Sequence, residues 1–387
     1  MAGVPSNTMN YSSLRILGDL TVAPGGEHEA LGPAGVFKWD KATLYNSGYG
    51  MKNGQRVYKS VNQSADGAGG LTYWYRYYQN GEWIIARNTT TAHLRFVGGT
   101  GNTVCTPKFT FPSGTVQYIV EGGATGFLTS EVEANFALGE GNVVHFICSN
   151  WDAITQIDLN TDKLAGDITH WQLPANLTRL YLDTNQLTGD ITHWQLPANL
   201  TRLYLDTNQL TGDITHWQLP ANLEHLYLNA NQLTGDITHW QLPANMTRLS
   251  LHANQLTGDI THWQLPANLA LLYLRDNTGL GGDFSRCTTG TKLQYVTLYN
   301  TSITYGFTGG PFSIITDVFR SVNFDNCLLP WSHVDNVLAD LVTSGVTNAV
   351  SSKNVGVGDN NDAPSEAGLA SKATLEGRGW TVKVRAA

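Results

Sequence analysis

The chain has 387 residues, a length that allows roughly two or three domains, and a formal net charge of −8 at pH 7. Charged residues make up 14% of it, against roughly 25% in a typical soluble protein, while Gly, Thr, Asn, Tyr and Trp are abundant. This composition is typical of a β-rich, outward-facing adhesive protein, and because no basic run or stripe occurs, nucleic acid is not an expected partner.

The amino-terminal residues, 1–35, are interpreted as an arm. Leu14–Val22 predicts one strand, and the Pro24-Gly25 step that follows ends it. Such an arm either anchors the chain to a partner or to sister copies, or it is a loosely held terminus. Met1–Asn7 contains neither the basic nor the apolar segment of a secretion signal. No apolar stretch reaches the ~20 residues of a membrane-spanning helix, so we expect no membrane insertion.

Residues 36–103 predict a β-rich module. Its clearest element is a hairpin, because two aromatic-rich runs, Leu71–Gln79 and Glu82–Ala86, flank the turn pair Asn80-Gly81. Aromatic side chains occur on both faces of this hairpin. One face should pack inside, while the other packs across strands, meets a partner or binds a sugar. The aromatic residues of this secondary candidate surface are Tyr73, Trp74, Tyr75, Tyr77, Tyr78 and Trp83.

Residues 104–150 predict two or three further strands, including Val116–Glu121 and Asn142–Cys148. These strands lead directly into a repeated segment, so we interpret them as the N-terminal cap of the repeat array. The cysteines of the chain allow several pairings but demand none, so we expect free thiols. They are Cys105, Cys148, Cys287 and Cys327.

Residues 151–304 are built on one sequence, GDITHWQLPANLTRLYLDTNQLT, which restarts every 23 residues at Gly166, Gly189, Gly212, Gly235 and Gly258. A fixed period of this size indicates stacked supersecondary units, that is, a solenoid. Leu180 and Leu182 are two residues apart, so both side chains leave a short strand towards the interior. Asn185 and its equivalents should form a buried ladder that satisfies backbone groups in the turn after each strand.

The spacing of these residues matches the leucine-rich repeat. Leu177, Leu180, Leu182, Asn185 and Leu187 give L-x-x-L-x-L-x-x-N-x-L, and the L-x-G-x-I that follows resembles the plant-type member of that family. The resemblance implies a second short strand in each copy. A proline in every copy excludes a long helix on the convex side. Degenerate copies at both ends, expected where a solenoid closes, use Ile154, Ile157, Leu159, Asp162 and Leu164 upstream and Leu293, Val296, Leu298, Thr301 and Ile303 downstream.

Residues 305–387 predict one more degenerate repeat and a small α/β cap. A helix, capped by Ser332, is predicted from the apolar stripe Val334, Val337, Leu338, Leu341 and Val342. A second helix should run from near Pro364 to Glu376, followed by a strand over Trp380–Val384. The closing segment GLASKATLEGRGWTVKV resembles the C-terminal ends of leucine-rich-repeat proteins in bacteriophage tails and related bacterial surface proteins. The chain is therefore expected to be mainly β, with an N-terminal β-rich module, a leucine-rich-repeat solenoid and a small α/β C-terminal cap.

The best binding candidate is the concave sheet face, where the outward positions of successive strands form a row of tyrosines flanked by mixed charge. Most copy-to-copy changes fall at these positions, and Tyr and Arg are favoured binding residues. The alternative is a solvated face whose charges pair across coils. The candidate residues are Arg179, Tyr181, Asp183, Arg202, Tyr204, Asp206, His225, Tyr227, Asn229, Arg248, His252, Tyr273 and Arg275, and Ser250 and Leu271 occupy the remaining outward positions.

Two further columns run through the repeats, one of histidine and one of tryptophan. No cysteine or carboxylate column completes a tetrahedral site beside the histidines, so we expect no metal. The tryptophans should pack on the convex side, or, if half exposed, suit a neighbouring subunit. No hydrolase, P-loop or dinucleotide motif occurs, so we expect neither catalysis nor a cofactor. The columns are His170, His193, His216, His239, His262 and Trp171, Trp194, Trp217, Trp240, Trp263.

These features predict a non-enzymatic bacteriophage virion protein, such as a tail fibre or receptor-binding adhesin. Its N-terminal module would contact other virion proteins, and its solenoid would bind a host surface glycan or protein. We expect a homo-oligomer, since fibre-like proteins are commonly trimers, and a chain that is extracellular once the particle is released. The alternatives are a structural capsid-decoration or assembly protein, a secreted bacterial adhesin, and a carbohydrate-active enzyme within residues 36–103.

Overall fold

The structure is a computed structural model. It describes the backbone of the strands between residues 14 and 93, and both backbone and side chains from residue 94 onward with a few exceptions. The exceptions are residues 102–103, 121–124, 149, 170, 289–291, 317–318, 348–352 and 387, together with residues 95 and 147, whose backbone alone is described. The chain forms two units, Met1–Ile154 and Thr155–Ala387.

The first unit is built from short β-strands. In chain order they are β1 (Leu14–Leu17), β2 (Asp19–Val22), β3 (His28–Gly32), β4 (Gly35–Lys38), β5 (Tyr49–Gly50), β6 (Arg56–Lys59), β7 (Ser64–Ala65), β8 (Leu71–Thr72), β9 (Trp74–Gln79), β10 (Glu82–Arg87), β11 (Ala92–Gly98), β12 (Val104–Cys105), β13 (Lys108–Thr110), β14 (Val116–Val120), β15 (Thr125–Leu128), β16 (Phe136–Ala137) and β17 (Val143–Cys148). Within this unit the pairing orders are β1-β10-β9-β6-β5, β2-β3-β4, β7-β8, β12-β16 and β15-β14-β17-β11.

The aromatic-rich hairpin is confirmed, because β9 and β10 pair antiparallel with Gln79 opposite Glu82. The single strand expected over Leu14–Val22 is wrong. β1 pairs parallel with β10, whereas β2 pairs antiparallel with β3, so the run serves two different sheets. The residue pattern of a segment does not show which strands it will pair with, so one continuous run predicts one strand.

In the second unit each coil of the repeat contributes a strand to two parallel sheets. In chain order the strands are β18 (Gln156–Asp158), β19 (Leu164–Asp167), β20 (Arg179–Tyr181), β21 (Gln186–Asp190), β22 (Arg202–Tyr204), β23 (Gln209–Asp213), β24 (His225–Tyr227), β25 (Gln232–Asp236), β26 (Arg248–Ser250), β27 (Gln255–Asp259), β28 (Leu271–Tyr273), β29 (Gly279–Asp283), β30 (Tyr295–Thr297), β31 (Ser302–Thr304), β32 (Ser321–Asn323), β33 (Lys353–Val357) and β34 (Trp380–Val384). The even-numbered strands β18–β32, followed by β33 and β34, form the first sheet, and the odd-numbered strands β19–β31 form the second.

The leucines of the repeat form the core of this solenoid. Leu180 pairs in register with Leu203, and Leu203 with Leu226, so one leucine column runs along the inside of the first sheet. Leu182 follows Leu180 by two residues, points the same way and is fully buried. The second strand of each coil, predicted from L-x-G-x-I, is also present, and Leu187 in β21 is fully buried. No helix forms around Pro197, as its position predicts.

The asparagine ladder is confirmed in detail. Asn254 Nδ2 lies 3.0 Å from both Leu228 O and Leu251 O, and its Oδ1 accepts from Leu233 N at 3.0 Å. One buried amide therefore joins three segments of neighbouring coils. In the degenerate copies Thr301 and Cys327 take this place and donate to Leu298 O. Their shorter side chains satisfy fewer groups than an asparagine does.

A glycine and an Asp-x-Thr segment connect the second-sheet strands from coil to coil. Asp190 Oδ1 accepts from Thr192 N at 2.9 Å, and Thr192 Oγ1 accepts from Asp213 N at 2.8 Å in the next coil. Gly212 has φ +129°, and a Cβ there would lie 2.8 Å from both Asp190 Oδ1 and Thr192 N. Only glycine fits this close approach, which explains the fixed G-D-x-T of every copy.

The turn leaving each first-sheet strand contains a residue in the left-handed conformation, a feature that the sequence did not reveal. Non-glycine residues hold it in every coil, with φ between 54° and 57°. They are Thr161, Thr184, Thr207, Ala230, Ala253, Asp276, Asn300, Asn326 and Asn360. Thr and Ala are unfavourable in this region, whereas Asn and Gly enter it readily.

Replacing Ala230 with Gly is therefore expected to raise the free energy of unfolding by about 1 kcal/mol, because the left-handed region costs an L-residue roughly 1–2 kcal/mol. Urea unfolding followed by circular dichroism measures this change. Ala221→Gly is the matched control in the same coil, since Ala221 is exposed and does not have a positive φ. The control should lower stability by roughly 0.5–1 kcal/mol if it behaves as an ordinary Ala→Gly exchange. Equal effects at the two positions would contradict the prediction.

The C-terminal part of the second unit adds two helices to the solenoid, α1 (Trp331–Thr343) and α2 (Glu366–Gly377). The predicted helices and the final strand, β34, are confirmed. The capping residue predicted for α1 is wrong, because Pro330 lies at the N-cap and Ser332 is inside the helix. Proline fits this end because the first N–H groups of a helix have no intrahelical partner. None of the helices in the described part of the chain is long and apolar enough to span a membrane.

Candidate functional site

The outward positions of strands β20–β28, with the residue two places after the tyrosine position of each strand, form the surface that we call the repeat face. Parallel register aligns Arg179 with Arg202 and Tyr181 with Tyr204, and the alignment continues coil by coil to Tyr273. Neighbouring strands are roughly 4.8 Å apart, so corresponding side chains touch. The predicted candidate residues are thus brought together as columns on one face.

The tyrosine column is packed edge to face. The ring centroids of Tyr181 and Tyr204 are 4.9 Å apart, and those of Tyr204 and Tyr227 are 4.6 Å apart, both with T-shaped geometry. Each of these rings is half-buried. Neighbouring rings therefore cover part of each other's surface, which reduces the ring area open to stacking by a ligand. Ser250 interrupts it and is only 1% exposed.

Two carboxylates in adjacent coils mark the N-terminal end of the repeat face. Burial, with the nearby Asp206 carboxylate as the next cause, raises the pKa of Asp183 to about 6. Burial also raises the pKa of Asp206. Within the described part of the chain, the buried Oδ1 of Asp183 has no hydrogen-bond partner. These carboxylates are placed where the fold itself disfavours their charge.

Asp183→Asn is therefore expected to stabilise the chain at pH 7.5 by about 1 kcal/mol, a figure that allows for solvent screening of a partly exposed group. Because the folded-state pKa is raised, the charged form destabilises the fold above pH 6. The gain should shrink as the pH falls from 6 towards 4 and should vanish only below the unfolded-state pKa of 3.8, where Asp183 is protonated in both states. Asn229 already occupies this position two coils later.

Melting temperatures from pH 4 to 8 test this prediction, with Asp190→Asn as the control. Hydrogen bonds from the Thr192 side chain and backbone lower the pKa of the exposed Asp190, so its charged form is favoured in the fold. The control should therefore be neutral or slightly destabilising at neutral pH. A stabilising effect of Asp183→Asn that is the same at pH 4 and pH 7.5 would contradict the assignment.

The two histidines of the repeat face are held neutral at pH 7. His225 Nδ1 lies 2.7 Å from the Tyr204 hydroxyl, and burial, reinforced by Arg202, lowers the pKa of His225 to about 4. His252 Nδ1 lies 2.9 Å from Ser250 Oγ, and burial, reinforced by Arg275, lowers the pKa of His252 to about 4. They act at neutral pH as hydrogen-bonding groups.

Arginines provide the positive charge of the repeat face. Arg179 and Arg248 are exposed, whereas Arg202 lies 3.8 Å from Glu224 and Arg275 is ion-paired with its neighbour Asp276. The guanidinium of Arg275 also lies over the Tyr299 ring, 5.2 Å from its centroid. Sequence reasoning missed Glu224 and Tyr299. Tyr299 belongs to a degenerate coil whose outward positions follow a shifted spacing, and Glu224 lies one residue before its strand.

One column of the repeat face changes charge steadily along the solenoid. From coil to coil it reads Asp183, Asp206, Asn229, His252, Arg275. Asn229 is buried, and its Oδ1 accepts a hydrogen bond from Ser250 Oγ at 2.8 Å. This residue and Ser250 are thus part of the internal support rather than exposed contact positions. The remaining predicted residues are half-buried or exposed and available to a partner.

The other sequence candidates have structural roles or lie outside the described side chains. Trp194, for example, is 4% exposed, and its Nε1 donates to Ile168 O of the preceding coil. The tryptophan column therefore faces the interior of the coil rather than a neighbouring subunit, although Trp171 at its start is half-buried. Tyr73 lies outside the described residues, and so do the side chains of Trp74, Tyr75, Tyr77, Tyr78 and Trp83.

The described residues contain neither a metal-binding cluster nor a reactive thiol. No group of three or more His, Cys, Asp or Glu side chains there is placed to hold a metal ion. All four cysteines are buried as free thiols, as predicted. Burial raises the pKa of Cys327 to about 11, so this thiol is not a reactive nucleophile at neutral pH. Asn361 is buried and accepts from Leu329 N at 3.0 Å as the last rung of the asparagine ladder.

No protein-family model and no curated protein sequence matches the chain.

Proposed function

We propose that this chain is a non-enzymatic recognition protein whose solenoid, of the leucine-rich-repeat type, binds a partner through the repeat face. We place it on a bacteriophage particle, as a tail fibre or receptor-binding adhesin that attaches to other virion proteins and meets a protein or glycan of the host surface. Tyrosines packed edge to face, arginines and neutral histidines on a row of regular strands suit a protein partner better than stacked sugar rings.

The observation that carries the proposal is where the copies differ. The segment GDITHWQLPAN is identical in all five copies, although its His193, Gln195, Ala198 and Asn199 are exposed. Substitutions begin after it and concentrate at the outward positions of the first sheet, while the leucines between them stay constant. If exposure alone decided where substitutions are tolerated, they would occur on both surfaces. Surface substitutions usually change the stability by no more than about 0.5 kcal/mol. Diversification of one face is the pattern expected of a surface fitted to a partner.

The electrostatics support the same interpretation. Asp183 is kept as a carboxylate with a raised pKa beside Asp206, and its Oδ1 is buried without a partner in the described structure. On the same face, the buried Nε of Arg202 has no hydrogen-bond partner among the described residues. Polar groups left in such positions reduce stability, and proteins retain them chiefly at functional sites.

The attachment to a virion is supported by the resemblance of the closing segment GLASKATLEGRGWTVKV to the ends of repeat proteins in phage tails. The proposed family is supported by the L-x-x-L-x-L-x-x-N-x-L spacing and by the asparagine ladder that it produces.

The test compares binding of the full chain to host cells with binding of two double variants. Arg179→Ser with Arg248→Ser removes two exposed arginines of the repeat face. Gln195→Ser with Gln241→Ser removes two exposed side chains from the opposite side of comparable coils. We expect the arginine variant to lose at least tenfold in cell binding and the glutamine variant to bind like the parent chain. Equal binding by all three proteins, each shown to be folded, would refute the repeat face as the binding surface.

A further inference from the structure

A second polar site lies at the C-terminal end of the solenoid, in the coils that follow the last strand of the repeat face. It is a cavity of about 710 Å³ lined mainly by Asn300, Asn326, Asn360, Asp359 and Arg385, with Val384 as an apolar wall. This volume lies within the ~300–1,000 Å³ range of small-molecule sites. No aromatic residue lines the cavity.

The three asparagines of this cavity form a continuous chain of aligned amides. Asn300 Nδ2 donates to the Asp276 carboxylate, Asn326 Nδ2 donates to Asn300 Oδ1 at 2.6 Å, and Asn360 Nδ2 donates to Asn326 Oδ1 at 2.6 Å. Every amide donates towards the N-terminus of the solenoid, so the last carbonyl oxygen, Asn360 Oδ1, receives no bond from this row, and Asn360 is exposed. Successive hydrogen bonds in one direction polarise one another, which strengthens this final acceptor.

The backbone fixes the amides before any ligand arrives. Asn300, Asn326 and Asn360 all have φ of 55–56°, the left-handed turn conformation of the solenoid. Each Nδ2 uses one N–H in this row, and an amide NH₂ group has a second N–H that a ligand could accept. A rigid row of alternating donors and acceptors therefore exists without ordering flexible side chains, an arrangement that reduces the entropy lost on binding.

The charges around the cavity are balanced. Lys383 Nζ lies 3.2 Å from Asp325 Oδ2 and 2.6 Å from Asp359 Oδ2, so one cation is shared by two carboxylates. Arg385 donates to Asn361 O at 3.3 Å and makes no ion pair with a described residue. With the Asp276–Arg275 pair at the start of the row, three anions and three cations surround the amides. A site of this composition favours an uncharged polar ligand over a metal ion or a multiply charged anion.

We infer that this cavity binds a carbohydrate. Each hydroxyl group of a sugar both donates and accepts, so neighbouring hydroxyls match a row in which Asn360 Oδ1 accepts while amide N–H groups and Arg385 donate. Val384 offers an apolar contact for the C–H groups of the ring. The spacing between coils, roughly 4.8 Å, lets one sugar unit reach two successive amides.

The test uses the full chain on an array of bacterial, plant and animal glycans, followed by calorimetry with the strongest free oligosaccharide. Asn326→Gly and Asn360→Gly remove the amides while keeping a residue that accepts the left-handed conformation. Each should weaken binding by at least tenfold. Ala253→Gly is the matched control, since Ala253 has φ 54° in the same column but does not line the cavity, and its affinity should equal that of the parent chain.

The outcomes separate this site from the repeat face. If the glycan affinity is lower in Asn326→Gly and Asn360→Gly but unchanged in Arg248→Ser, the cavity is supported as the glycan site. This conclusion does not depend on the result for cell binding. A glycan affinity lost in Arg248→Ser and kept in the asparagine variants assigns the sugar to the repeat face and overturns the inference. No bound glycan on the array, with a folded chain, also overturns it.

Discussion

Replacing Asn254 with Ala is expected to lower the free energy of unfolding by about 3 kcal/mol. The Asn254 amide donates to Leu228 O and Leu251 O at 3.0 Å and accepts from Leu233 N at 3.0 Å, and the residue is buried. Alanine would leave these backbone groups without partners and out of reach of water. An unsatisfied buried polar group costs about 1–3 kcal/mol, and several are created at once.

Urea unfolding measures the loss, with Gln255→Ala as the control one residue later. Gln255 is exposed, so its replacement should change stability by less than about 0.5 kcal/mol. Hydrogen exchange should show faster opening of Leu233 N, because its acceptor is gone, and of amides in the coils on both sides. Asn254→Thr should recover part of the loss, since Thr301 fills the same place with one donor and one acceptor. Equal stability of Asn254→Ala and Gln255→Ala would show that the ladder is not a main support.

The interior of the solenoid could be predicted because it depends on spacing alone. Leu180 and Leu182 must face inward if the segment is a strand, and every copy of the repeat predicts the same orientation for its leucines. The proline in every copy predicted that no long helix forms on the convex side. The asparagine ladder followed from the need to satisfy backbone groups between stacked turns.

The turns and the fine structure of the candidate site could not be predicted in this way. Nothing in Thr207 or Ala230 indicates a left-handed residue, since neither is favoured there. Ser250 is in register between Tyr227 and Tyr273 and bonds to Asn229, so the burial of both depends on neighbouring coils, which a single strand pattern does not contain. Asn361 serves as a ladder rung after a turn that is one residue longer than in the other coils, so the regular spacing missed it.

The alignment of the outward positions on one sheet face could be predicted, but the pKa values of the side chains there could not. Alternation along a strand shows which side chains point outward, yet it gives no pKa. The raised pKa of Asp183 depends on burial against its neighbours and on Asp206 in the next coil. The neutral state of His225 likewise depends on burial and on the arginines around it. These pKa values depend on residues of neighbouring coils, so the sequence pattern of a single coil cannot predict them.

Replacing Asp340 with Ala is expected to produce the largest loss in the chain, about 4 kcal/mol, by releasing the C-terminal helices. Asp340 lies in α1 and is 1% exposed. It accepts from the Tyr305 hydroxyl at 2.6 Å, from Gly309 N at 2.7 Å and from Gly310 N at 2.8 Å. One carboxylate therefore joins α1 to the loop after β31. Alanine would leave the three donors buried without an acceptor, and hydrogen bonds to a charged group contribute about 1.5–3 kcal/mol each.

A graded series distinguishes this anchor from a general effect of packing. Asp340→Asn retains one acceptor oxygen but turns an NH₂ group towards donors, so it should lose about 2–3 kcal/mol. Tyr305→Phe removes a hydroxyl that donates to Asp340 and accepts from Phe312 N at 3.3 Å, and should lose about 1–2 kcal/mol. Because stacked repeats can open from one end, the readout is hydrogen exchange in α1 and α2 as well as urea unfolding. An exposed carboxylate, Asp362, replaced by Ala, should leave both readouts unchanged. If Tyr305→Phe destabilised the chain as much as Asp340→Ala, the burial of the Tyr305 ring and not the shared carboxylate would be the feature that holds the helices in place.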